Sequence, residues 1–288
     1  MKAFLGMGLL GSNFVKAMAE RGEQVQIWNR TAGKAQALAG EGIVVCDTPA
    51  EAVKGAQVVH LVVKDDAAVD AVLEQLAPGL EPGATLVDHT TTSAAGAKSR
   101  TQTWKERGYL YQHAPVFMGP KNAREASGYM LVSGDQDLIA RLLPDLSKMT
   151  GKVLNFGAEA GKAAGMKLLG NLFLMAVTGG ITDMLLLAKN QGISIDEITT
   201  LFDAWNPGAG APGRLKRVAE ADYSHPSWEL QMARKDAGLM MDAVRKDAAE
   251  MMVIPAIAAQ MDHWINKGHG HDDWTIIGKD AVAQEPTA

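Results

Sequence analysis

Apolar and polar residues fall into two regimes along this chain. Through the first half, short apolar runs recur at residues 2–5, 24–27, 43–45, 58–63, 85–87, 109–112, 129–132 and 153–156, and alanine-rich stretches with helical spacing separate most of them. Strands that alternate with helices specify parallel βαβ units and a sheet covered on both faces. The last runs lie closer together, which predicts antiparallel additions at a sheet edge. Near Gly157 the pattern changes: residues 158–190 contain no proline and no strand-like run. Read as one helix, this segment is about 50 Å long at 1.5 Å per residue, too long for the surface of a small domain and too apolar to stand alone in water. It is expected to form the spine of a second, all-helical domain, with Gly192 as its stop. Ser194-Ile195-Asp196-Glu197 has the capping-box form that opens a further helix. Pro207, Gly208, Gly210, Pro212 and Gly213 mark a loop. Helical sequence continues to about residue 265, and a frayed tail is expected from about Gln284. The expected organisation is an α/β domain over 1–157 and a helical domain over 158–288.

The bulk properties fit this division. A length of 288 residues exceeds one average domain, and 47% hydrophobic residues supply sizeable cores. The net charge is −5 with no block of lysine or arginine, so neither nucleic acid nor an anionic membrane is an expected partner. The most apolar stretch, 172–188, contains Gly179, Gly180 and Asp183. It is shorter than the ~20 apolar residues of a membrane span, and is expected to be a buried soluble helix. The single cysteine, Cys46, rules out an internal disulfide and fits a reducing compartment. The first residues lack the basic and long apolar regions of a signal peptide, so a cytoplasmic location is expected.

Candidate chemistry begins at Gly6-Met7-Gly8-Leu9-Leu10-Gly11. This GxGxxG directly follows an apolar strand and opens a helix-like segment, the context that gives the motif meaning. The first glycine permits the tight turn, the second admits a pyrophosphate to the backbone, and the third lets helix pack on strand. A dinucleotide would then rest on free N–H groups at the positive end of the helix. The next strand ends in Asn29-Arg30-Thr31, with Asn29 placed 23 positions after Gly6 (29 − 6), near the ~20 expected for the ribose-reading residue. NAD-specific sites carry Asp or Glu there. A neutral Asn29 followed by Arg30, whose forked donors suit a 2′-phosphate, predicts NADP(H) instead. Thr31 is expected to cap the following helix and turn its hydroxyl to the same phosphate.

Lys167 and Asn171 lie four apart on one helix face amid Ala, Gly, Leu and Met. Such surroundings disfavour the lysine's charged form and bring its pKa toward a range useful for proton transfer; a lysine that snorkels to water is the alternative.

With these pieces in order, the chain resembles the β-hydroxyacid dehydrogenase family (3-hydroxyisobutyrate dehydrogenase, tartronate semialdehyde, glyoxylate and succinic semialdehyde reductases) and the related imine reductases. The resemblance covers nearly the whole length. It rests on the GxGxxG, Asp88-His89-Thr90-Thr91-Thr92, Ala114-Pro115-Val116, Gly128-Tyr129-Met130-Leu131, the Lys167/Asn171 pair and Lys235-Asp236. It implies an N-terminal Rossmann domain, a helical C-terminal domain, and a substrate in the cleft between them. It further implies that Lys167 gives a proton to a carbonyl as hydride arrives from the nicotinamide, with Asn171 as helper. Lys235 would close over the cofactor. Thr91 and Thr92 would touch nicotinamide and substrate, and Val63 and Lys64 would line the cofactor, although the family has a leucine–proline pair at that turn. A retained lysine favours carbonyl over imine chemistry. An imine reductase and a non-catalytic NADP-binding scaffold are the other readings. The family's substrate loop, Pro-Val-Ser-Gly-Gly, is here Pro115-Val116-Phe117-Met118-Gly119-Pro120-Lys121-Asn122. Phe117 removes a hydroxyl that holds substrate carboxylate, and Pro120 supplies no N–H. Either Asn122 or Lys121 anchors the substrate differently, or the substrate is less polar. A homodimer is expected, because a lone helical domain would expose much of the long apolar helix.

Other signals carry less. His269-Gly270-His271-Asp272-Asp273 contains possible metal ligands, but matches a glycine-rich turn of the family, and no metal is expected. His89 and His113 end strands near the site and either tune it or simply pack. The methionines at 240, 241, 251 and 252 are read as helix-packing core.

Overall fold

A computed structural model of the chain describes residues 1–244 and 250–282. The tail expected from Gln284 lies outside the described residues. The chain divides into two compact units, Met1–Asn171 and Leu172–Ala288.

The first unit starts with the alternation read from the sequence: β1 (Lys2–Leu5), α1 (Leu9–Glu20), β2 (Val25–Trp28), α2 (Ala32–Gln36), β3 (Ile43–Val45), α3 (Pro49–Val53), β4 (Val58–Leu61), α4 (Asp66–Leu76), β5 (Thr85–Asp88), α5 (Ala94–Glu106) and β6 (Leu110–His113). The six strands form one parallel sheet in the order β3-β2-β1-β4-β5-β6. This is the doubly wound arrangement, in which the order reverses between β1 and β4 and leaves a crevice at their carboxyl ends. Both faces are covered. Phe4, Phe14, Met18 and Ile27 pack on one side, and Leu5, Leu61, Leu73 and Leu86 on the other.

The remaining elements of the unit are β7 (Val116–Phe117), α6 (Pro120–Glu125), β8 (Tyr129–Val132), α7 (Gln136–Leu146) and β9 (Lys152–Asn155). Their strands do not extend the edge of the main sheet. They form a second sheet, β7-β8-β9, in which β7 runs antiparallel to β8 and β9 parallel to it. Only the β7–β8 return is short enough to reverse direction; α7 carries the chain back for a parallel β9.

The long helix is α8 (Lys162–Gln191), and the first unit takes in its opening turns. Ala163 and Ala164 are fully buried, and the Ala163 N–H donates to Ser133 Oγ at 2.9 Å. The compact unit therefore continues past residue 157, where the strand pattern ends. Gly192 ends the helix with φ +69°.

The second unit continues with α9 (Ile195–Ala204), α10 (Ala211–Glu220), α11 (Leu230–Val244) and α12 (Ile254–Asn266). Ser194 and Glu197 form the expected capping box. The segment at 207–213 is not a plain loop, because a 3₁₀ turn over Pro207–Gly210 runs straight into α10 with Pro212 in its first turn, where a missing N–H costs nothing. Leu230, Ala237, Met261, Trp264 and Ile276 form the core of the unit. The α8 segment in this unit is not the buried helix that its composition predicts. Leu172, Phe173 and Met175 are 66%, 54% and 73% exposed. α8 is also long and apolar enough to cross a membrane by length and composition alone. Its one buried charge, Asp183, is spoken for. Its carboxylate accepts the N–H groups of Met252, Val253 and Ile254 at 2.7, 2.8 and 3.0 Å and so caps α12.

Burial alone would raise the Asp183 pKa; the three donors outweigh it and hold the group below its ordinary 3.8. Its stabilisation is thus complete above that pH and is lost as the pH falls through the lowered value. We expect Asp183→Ala to cost about 2 kcal/mol, several degrees in Tm, near pH 7, with the difference from wild type shrinking in acid; thermal melts across pH check it.

Candidate functional site

At the crevice between β1 and β4, the three glycines of the turn do three different jobs. Gly6 has φ +97°, and a Cβ there would lie 2.1 Å from the Val62 carbonyl oxygen. A Cβ on Gly11 would lie 1.9 Å from the Gly6 oxygen. Those two positions are closed by backbone. At Gly8, the residue preceding α1, a Cβ would meet nothing within 4 Å. The space in front of the first helical N–H groups is therefore open, as a phosphate requires. A cavity of about 930 Å³ continues from this turn. Gly6, Gly8, Leu9, Leu10 and Gly11 line one side; Trp28, Asn29, Arg30 and Lys34 the second; and Val63, Lys64 and α4's Ala67, Ala68 and Ala71 the third. Small alanines on that helix leave width for a flat ring, and the volume suits an elongated dinucleotide.

Asn29, the residue after β2, has a structural role at the cavity. Asn29 Oδ1 accepts the Met7 N–H at 2.8 Å, and its Nδ2 donates to the Thr31 carbonyl at 2.9 Å. One neutral amide thus ties the glycine turn to the loop that carries Arg30. Arg30 is exposed on the cavity rim with Lys34, four residues on, beside it. Two cations on one rim fit an NADP 2′-phosphate. Sequence reasoning missed Lys34, although its place in the first turn of the helix after Arg30 was the available signal. Thr31 precedes α2 as expected, but its hydroxyl makes no capping hydrogen bond; its carbonyl instead accepts the Asn29 amide and the Lys34 N–H. Lys64 is exposed and lies 3.6 Å from Asp65.

The ends of β4, β5 and β6 carry a buried polar network. Asp88 accepts the Tyr111 hydroxyl at 2.6 Å and the Thr90 N–H at 2.9 Å, and Thr90 Oγ1 accepts the Val63 N–H at 3.0 Å. His89 Nδ1 donates to the Ala114 carbonyl at 2.9 Å, which leaves its Nε2 to accept from His60 Nδ1 at 3.1 Å. Both rings stack against Phe4. Burial drives the His89 pKa down to about 4, and burial followed by the neighbouring His89 takes His60 well below its ordinary value. These histidines are neutral braces for the β4 and β5 ends. His113, lowered by burial as well, donates to the Thr90 carbonyl at 2.8 Å with Thr92 Oγ1 3.2 Å away. Thr92 is buried in this network, whereas Thr91 is exposed, and neither is among the residues that line the cavity.

Lys167 stands apart. Its Nζ lies 4.2 Å from the centroid of the Phe117 ring, and no hydrogen bond or ion pair engages it among the described residues. It is half-buried, and burial pushes its pKa below the ordinary 10.5. Asn171, one turn on, is likewise half-buried with a free amide. Phe117 connects this pair with the cavity, because its chain neighbour Met118 lines the cavity wall. Asn122 is not a free anchor: Oδ1 accepts the Gly119 N–H at 2.9 Å, and Nδ2 donates to Ser127 Oγ at 3.0 Å. Lys121 points to solvent, 3.9 Å from Glu125. Lys235 lies on α11 in the second unit, paired with Asp236 at 3.0 Å. In the 269–273 turn, His269 pairs with Asp272 at 2.6 Å and His271 with Glu229 at 3.2 Å. No cluster of three possible metal ligands occurs among the described residues.

A doubly wound sheet with an open glycine cradle and a long cavity defines a dinucleotide-binding protein. The chain belongs to the family described as the NAD binding domain of 6-phosphogluconate dehydrogenase, whose model matches residues 2–157. It is 26% identical over 285 residues to glyoxylate/succinic semialdehyde reductase 1 of Arabidopsis thaliana, covering 95% of this chain and 96% of that one. It is 31% identical over 243 residues to the human cytokine-like nuclear factor N-PAC, covering 82% of this chain but only 43% of that protein. Among solved structures, an imine reductase from Myxococcus stipitatus in complex with NADP+ superposes with a TM-score of 0.87 at 22% identity, over 96% of this chain and 98% of that one. That likeness speaks for the fold.

Gly8→Ala should fold with an unchanged Tm, since the added methyl meets no protein atom, yet bind NADPH about tenfold or more weakly. Arg30→Ala should weaken NADPH by a similar factor and leave NADH nearly unchanged. Fluorescence titration of both cofactors reads both effects.

Proposed function

We propose that this chain is an NADPH-dependent reductase of small carbonyl compounds, reversible to the alcohol. The observation that carries the reading is Lys167: a half-buried ammonium over the Phe117 ring that, like the Asn171 amide one turn on, has no hydrogen bond or ion pair among the described residues, and that lies one residue removed, through Phe117, from the wall of the dinucleotide cavity. The nicotinamide supplies hydride when bound. The chain's own part is to hold the substrate oxygen between Lys167 Nζ and Asn171 and to give that oxygen its proton from Nζ. The depressed pKa suits the task, because a proton donor works best when its pKa approaches the working pH. The strand-end histidines are poor rivals: burial disfavours the charged forms of His60 and His89, and His113 donates to the Thr90 carbonyl. The semialdehyde reductase relative supports carbonyl chemistry. An imine is the second reading, favoured by the apolar ring beside the lysine. A panel of aldehydes, semialdehydes and cyclic imines run with NADPH separates the two.

Lys167→Ala should lower kcat roughly 10²–10⁴-fold with NADPH affinity intact. In wild type, reduction requires the protonated lysine, so its rate should fall as pH rises through a pKa below 10.5, while alcohol oxidation rises over the same range. Unchanged turnover in the variant would remove Lys167 from the chemistry.

We further propose that a second copy of the chain covers the apolar face of α8 and α9. Leu172, Phe173 and Met175 on α8, and Leu201 and Trp205 on and just after α9, are exposed apolar side chains that water disfavours. Light scattering should give twice the 30.6 kDa chain mass. Phe173→Glu should shift the mass toward one copy.

A further inference from the structure

Phe117 occupies the surface beside the proposed proton donor so fully that it dictates which substrates fit there. Its ring lies under Lys167 Nζ, 4.2 Å from centroid to nitrogen, and its far edge presses on α8 at Gly170. A Cβ at Gly170 would come within 2.2 Å of the ring's Cζ and 2.7 Å of Cε1. Gly170 lies between Lys167 and Asn171 in sequence, so the ring covers the helix surface between the two free polar groups. Part of the loop's hydrogen-bonding capacity is used within the loop: the Gly119 N–H donates to Asn122 Oδ1, Asn122 Nδ2 donates to Ser127, and Pro120 has no N–H. Lys121 is exposed beside Glu125. An aromatic face carries the negative part of its quadrupole toward an approaching group, which attracts the lysine and disfavours a carboxylate. Between Lys167 and Asn171 the helix surface is thus an aromatic wall, where a hydroxyl would have offered a donor.

Building on the carbonyl-reductase reading, we propose that Phe117 is a specificity-determining residue that makes the site select uncharged aldehydes and ketones over carbonyl compounds whose chain ends in a carboxylate. Gly170 is the position that lets the ring sit against the helix.

Two measurements test this. The first compares kcat/KM for butanal and succinic semialdehyde with NADPH. Butanal should lead by about tenfold or more in wild type, and Phe117→Ser should cut that ratio by a similar factor without changing NADPH affinity. The second needs no turnover: thermal shift of the wild-type NADPH complex by butyramide and by succinamate, the amide counterparts of the two aldehydes. Butyramide should stabilise the complex at concentrations where succinamate does not. Stronger stabilisation by succinamate, or a wild-type preference for the semialdehyde, would overturn the assignment, and neither depends on the variant folding. If butyramide is preferred but neither aldehyde is reduced, the carbonyl-reduction reading fails while the selectivity of the Phe117 surface stands.

Discussion

The nucleotide-binding half of the molecule depends on one close approach of backbone to backbone. Gly11 of the first helix sits so near the Gly6 oxygen that no side chain fits between them, and Gly6 in turn sits against the Val62 carbonyl. These contacts bring β1, the start of α1 and the end of β4 to a single point. The helix dipole and its free N–H groups can face the crevice only because the turn closes there. Gly8 faces outward from the same turn, so the geometry that seals the protein on one side opens it on the other. Arg30, Lys34 and the alanine face of α4 then have a common cavity to line.

Much of this was legible in the sequence because it is local. A strand, a glycine spacing and a helix lie within twenty residues, and each has its own periodicity. The cofactor loop at Asn29-Arg30 was legible for the same reason. Asn29 also shows what was hidden: its amide hydrogen-bonds to Met7, 22 residues earlier, a partner no spacing rule predicts. Lys34 was missed because an exposed lysine in a helix is unremarkable until the cavity beside it is seen. The His60–His89 pair could not be read as a brace, since its two members come from different strands and their roles follow from where each ring nitrogen finds a partner.

The larger misreadings concern what an apolar surface meets. The α8 sequence states that the helix must be covered, and says nothing of what covers it; in one copy of the chain the face stays open. The strands after β6 were read as an edge addition because their spacing is short, yet pairing depends on direction, and α7 returns the chain parallel to β8. At the loop after β7, sequence left open whether Asn122 anchors a substrate. The hydrogen bonds that occupy both ends of its amide make it part of the loop's frame instead.

Asn29 couples two parts of the cavity wall. Its carbonyl oxygen braces the glycine turn while its nitrogen holds the Thr31 carbonyl, so one side chain at the cavity also maintains the shape of the phosphate cradle. An aspartate there would keep the acceptor for Met7 but lose the donor to Thr31 and set a carboxylate oxygen against a carbonyl. A change at this one position would therefore disturb the loop that carries Arg30 together with any direct effect on a bound dinucleotide, so re-engineering the cavity has to treat residues 29–34 as a unit.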